Sequence, residues 1–152
     1  MIIIKNMVII MRKALIMFSI LVLFSFFGCD NSSSNDTDSN SPVVTEAYSK
    51  IGCPYEWGAA GPDSFDASGL VCFCYGYRSH VWTTNTFISQ QAGWMEINVS
   101  EAMPGDVVSS NNHCGIYIGG GQMIHAPGFG DVVKKGSIQG DMSYYRYSSQ
   151  TE

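Results

Sequence analysis

At 152 residues the chain can bury one sizeable core, and its 13 acidic against 8 basic residues give a formal charge of −5. No basic stripe is present to meet phosphates, and Lys134 and Lys135 are the only adjacent basic pair in the folded part, which argues against nucleic acid as a partner. Five cysteines leave disulfides open for an exported protein, but no CxxC pair supports a structural zinc site.

The first 29 residues read as a signal peptide. Lys5, Arg12 and Lys13 form a basic region, and Ala14 to Phe27 is apolar apart from Ser19 and Ser25. A spanning helix usually needs about 20 apolar residues. "FFGC" resembles a bacterial lipobox, which would make Cys29 the lipidated residue and anchor the protein to a membrane, although Phe26 and Phe27 depart from the usual pattern. Cleaved secretion and an uncleaved anchor are the rival expectations. Asp30 to Ser41 holds no apolar residue and reads as a flexible tether, reaching roughly 20 Å on average.

The folded domain is expected over 42–148. Val43, Val44, Ala47, Tyr48 and Ile51 share one helical face, and Gly52 ends that helix. "CPYEWGAAGPDSF" is a Gly- and Pro-rich loop carrying Tyr55 and Trp57, as a core plug or a ligand wall. In "DSFDASGLVCFCYGY", Ser64, Asp66 and Ser68 are all possible caps for a second helix. Cys72 and Cys74 point about 200° apart around it and cannot pair with each other. Thr83 to Ala92 is a further short helix.

After Gly93 six short stretches rich in β-branched and aromatic residues read as antiparallel strands: "WMEINV", "GDVVSS", "CGIYIGG", "QMIHA", "DVVKKG" and "YYRY". Helices first and strands after give an α+β class. His80, in "YRSHVW", has no acid–base partner beside it and reads as a surface or rim residue. His113 opens one arm of a hairpin and His125 closes the other, so pairing should make them neighbours, one as a base and the other orienting it. A two-histidine metal site would lack an evident third ligand. A helix N-terminus is where a thiol is activated, yet Ala67 occupies that place in "FDASGL".

"PYEWGAAGPDSFDASGLV", "MPGDVV" and "HCGIYIGGGQMIHAP", spaced in this order, resemble the NlpC/P60 family of cell-wall peptidases over roughly 43–147. The resemblance implies a papain-like α+β fold with N-terminal helices packed on an antiparallel sheet. It implies hydrolysis in peptidoglycan stem peptides, typically between D-γ-glutamate and a diamino acid, without cofactor or metal. The nucleophile position falls on Ala67, where the family carries cysteine, the base on His113 and the orienting residue on His125. Tyr55, Trp57, Asp66 and Ser68 fall in the substrate site, and the backbone N–H at 67 faces the oxyanion.

Ala67 cannot attack, so this chain is expected to be inactive, since removing a nucleophile leaves only residual rate. An engineered Cys→Ala change fits the intact surroundings. A natural pseudoenzyme that binds wall peptide without cleaving it, and a scaffold protein, are the alternatives. The expected setting is the bacterial envelope, as a monomer, outside the cytoplasmic membrane.

Overall fold

The computed structural model describes residues 41–148. The signal segment, Cys29 and the tether before Ser41 lie outside the described residues, as do 149–152.

Helix α1 spans Pro42–Ser49. Proline at the first helical position costs no hydrogen bond there. Val44 and Ala47 are buried, and Val43, Tyr48 and Ile51 pack half-buried against the same core. The helix ends earlier than its apolar period suggests. Lys50 N–H turns to the carbonyl of Ala47 and Ile51 N–H to that of Tyr48, so the last turn tightens before Gly52, at φ 95°.

The loop of residues 50–66 folds back on itself. Tyr55 and Ala60 both bridge to Phe65, and Asp66 N–H donates to the Ala59 carbonyl at 2.9 Å. Helix α2, Ala67–Cys74, follows at once. Its Leu70, Val71 and Cys72 are fully buried, and Phe73 stacks edge-on against Phe65. Each large apolar side chain buried this way contributes about 1.5–3 kcal/mol. Gly69 is required by closeness: a Cβ there would lie 2.1 Å from the Ala59 carbonyl oxygen.

Helix α3 covers only Thr84–Ile88, shorter than the Thr83 to Ala92 expected. Gln90 and Ala92 take positive φ values of 51° and 54°, which end the helix and swing the chain into the sheet.

Strands β1 (Trp94–Ile97), β2 (Val107–Ser109), β3 (Cys114–Gly119), β4 (Gln122–His125), β5 (Lys134–Ser137) and β6 (Ser143–Tyr147) form one antiparallel sheet in the order β1-β6-β2-β3-β4-β5. Helix α2 packs on β3, and α1 on both. The class is α+β, with the start of α2 facing the β3–β4 hairpin. On the other side of α2, Tyr75 meets Trp82, Trp94 and Tyr147 edge to face and donates its hydroxyl to the Gly105 carbonyl at 2.8 Å. That bond ties the C-terminal end of α2 to the turn before β2. No helix among the described residues is long and apolar enough to cross a membrane.

Candidate active site

Asp66 is the residue that caps α2, and its carboxylate collects four donors. Oδ1 accepts from Gly69 N–H at 2.7 Å and from the Ser68 hydroxyl at 3.1 Å, and it lies 2.9 Å from His80 Nε2. Oδ2 accepts from Gly58 N–H at 2.9 Å. Burial works to raise this carboxyl, but the bonds from His80, Gly69 and Gly58 outweigh it and hold the group below the usual carboxylate range. Asp66 is thus a fixed anion that pins the loop, the helix start and His80 together. Ala67 follows it as the first residue of α2, half-buried.

The histidine pair is built differently, by sheet register. Ile116 faces Ile124 and Tyr117 faces Met123 across β3 and β4, so the end of β4 comes beside the start of β3. There His113 Nε2 lies 2.7 Å from His125 Nδ1, with ring centroids 4.9 Å apart. Two glycines make room for His125. A Cβ on Gly115 would meet the Ile124 carbonyl oxygen at 2.8 Å and His125 Cβ at 3.0 Å. A Cβ on Gly136, in β5, would stand 2.6 Å from His125 Nε2. Burial lowers the pKa of His113. His125 is pushed down to about 4, first by burial and then by His113 and Lys134. Both rings are therefore neutral at pH 7. With Nε2–H of His113 donated to His125, its Nδ1 keeps a lone pair and can act as a base.

These two halves meet in one cavity of about 550 Å³. Its walls include Ala67, His113, Tyr55, Trp57, Asp66 and Ser68. His125 stands behind His113 and does not line it. Trp57 is 75 % exposed, so it is a rim aromatic and not a core plug. Tyr55 is half-buried and meets the exposed Phe129 edge-on at 5.3 Å. His80 is exposed at the rim, as expected, but it has an acid partner that the sequence did not reveal. It is a wall residue whose partner lies 14 positions away, at Asp66. Thr83, Thr84, Asn111 and Asn112 also line the cavity and carry no motif that singles them out in the sequence.

Among the described residues no free thiol lines the cavity. Cys72, Cys74 and Cys114 are free and buried, and burial raises the pKa of each. Cys114 points into the core while its neighbour His113 lines the cavity, as alternation along a strand requires. No group of three or more His, Cys, Asp or Glu side chains among the described residues could hold a metal.

The profile of the NlpC/P60 family matches residues 52–152. The chain belongs to the NlpC/P60 family. It is 40 % identical over 106 residues to Protein P54 of Enterococcus faecium, covering 64 % of this chain and 20 % of that protein. To the probable endopeptidase p60 of Listeria grayi it is 41 % identical over 101 residues, covering 63 % and 20 %. It spans about a fifth of the length of these relatives. Among solved structures, the NlpC/p60 domain of the peptidoglycan hydrolase SagA is 39 % identical with a TM-score of 0.57, covering 70 % of this chain and 96 % of that one. The fold is the papain-like NlpC/P60 fold that the sequence motifs suggested, and helix α1 lies just before the segment the family profile matches.

Proposed function

We propose that this chain carries the catalytic domain of a peptidoglycan stem-peptide endopeptidase of the cysteine class, held inactive by alanine at the nucleophile position. One observation carries the reading. Ala67, at the first position of α2, lines the same cavity as His113, whose ring is bonded to His125 at 2.7 Å. A sulfur on that Cβ would enter a cavity already furnished with a neutral imidazole, at the positive end of a helix. The thiol would give its proton to His113 Nδ1, and the thiolate would attack the peptide carbonyl. The first-turn N–H at position 67 has no intrahelical partner and suits the oxyanion. His113 would then return the proton to the leaving amine, and water would hydrolyse the acyl-enzyme.

The relatives named endopeptidase or peptidoglycan hydrolase support a wall-peptide substrate. The family resemblance points further, to the bond between γ-D-glutamate and a diamino acid. A signal segment ending at Cys29 and the polar tether after it suit a lipid-anchored monomer working in the bacterial envelope. The intact histidines and the fully bonded Asp66 suit a single Cys→Ala change.

The test is gain of function. Ala67→Cys, incubated with a soluble muropeptide containing that bond, should release the two fragments, while the unaltered chain releases none. A folded Ala67→Cys protein that leaves the peptide whole would remove the enzyme reading.

A further inference from the structure

The cavity holds a third imidazole that the Cys–His–His scheme does not use. His80 lines the wall with its side chain 26 % exposed, and Nε2 is taken by Asp66 Oδ1. No other hydrogen bond involves its ring among the described residues, so Nδ1 is left for a ligand. Asp66 cannot serve that ligand directly. It is 9 % exposed, and four donors already surround it. The walls contain no lysine or arginine. Apart from the base His113, His80 is therefore the group in this cavity able to meet a ligand with positive charge.

We propose that His80, held in place by Asp66, is a specificity-determining residue whose second ring nitrogen binds a carboxylate of an acidic wall peptide. This rests on the stem-peptide reading above. A glutamate linked through its γ-carbonyl keeps its α-carboxylate free, which supplies such a group beside the bond to be cut. The ionised Asp66 fixes Nε2–H as the donor toward it. A proton from solvent on Nδ1 makes the ring an imidazolium, its charge balanced by Asp66, and the outward N–H donates to the carboxylate. In the neutral ring Nδ1 bears a lone pair and repels the same ligand. The other titratable groups facing the cavity do not charge in the interval from pH 6.5 to 8. Asp66 stays ionised, burial lowers His113, and burial and the Asp66 charge both raise Tyr55.

The experiment uses the chain as it stands, which cannot consume its ligand. Calorimetry compares the tripeptide L-Ala–γ-D-Glu–diamino acid with the same peptide amidated at the α-carboxylate, between pH 6 and 8. The acid peptide should bind about ten- to a hundredfold more tightly than the amidated one at pH 6, the range of one charge-assisted hydrogen bond, and raising the pH should only narrow that gap. His80→Gln keeps an N–H for Asp66 but removes the second ring nitrogen. It should abolish the preference as completely as His80→Ala, with an unchanged melting temperature. A preference that survives in His80→Gln makes His80 merely a support for Asp66 and overturns the proposal. Equal binding of both peptides by the unaltered chain overturns it without any variant and leaves the wall-peptide reading standing. If neither peptide binds the chain or Ala67→Cys, that reading falls and takes this one with it.

Discussion

The two walls of the cavity are held in place by different means. The α2 wall is local. Asp66, Ser68 and Gly69 lie within four consecutive residues, and a single carboxylate fixes them through short hydrogen bonds. The hairpin wall is assembled from a distance. His113, His125 and Gly136 come from three segments that only sheet register aligns. The hydrogen bonds of the local wall all meet at Asp66, and none uses the side chain at position 67. The hairpin wall depends on the His113 and His125 rings themselves.

Removing function from the hairpin wall should have the largest effect. In the Ala67→Cys background, His113→Ala should lower kcat about 10³-fold or more, read from initial rates on muropeptide. Unchanged rates would place the base elsewhere. A collision on the local wall comes next. Gly69→Ala puts a methyl 2.1 Å from a backbone oxygen that cannot step aside, so stability should fall by about 4 kcal/mol or the protein should fail to fold. Gly136→Ala sharpens the contrast. Its methyl would meet the far end of the His125 side chain at 2.6 Å, so the ring must move while the backbone need not. In the Ala67→Cys background this should cost about 10²-fold in kcat, with a melting temperature within a few degrees of the parent.

Asp66→Ala should be milder, about 1–3 kcal/mol in a urea titration, from the lost cap and the unpaired Gly58 N–H. The smallest effect is acid sensitivity of the hairpin wall. His125 and His113 have lowered folded pKa values, so their neutral forms add stability above the unfolded value of about 6.5. That contribution is lost as pH falls through the interval from about 6.5 to about 4. Urea midpoints should therefore decline across that range, and less steeply in His125→Asn. The contribution of Asp66 is lost only below that window, because its carboxyl is held below the ordinary value of 3.8.

The same division governs what could be read from sequence. All six strands and the neighbouring histidines follow from alternation and a Gly-rich turn, which are short-range signals. The choice among Ser64, Asp66 and Ser68 as cap did not, since any of them can accept a backbone N–H. Asp66 holds the place because Gly58 and His80 also converge on it. His80 gave no local sign of its partner, as the loop after α2 must fold back across 14 positions to reach it. The Arg146–Asp106 pair at 2.7 Å, linking β6 to the start of β2, spans 40 positions and is equally silent in the sequence. Helix lengths were overestimated at α1 and α3, where apolar spacing continues past backbone turns that end the helix.

Gly136 belongs to an outermost strand and does not line the cavity, yet its missing side chain sets where His125 rests. The chemistry of the cavity is thus open to veto from the margin of the sheet. In an Ala67→Cys protein, a larger residue there would press on His125 from outside the cavity and lower activity in a domain that still folds.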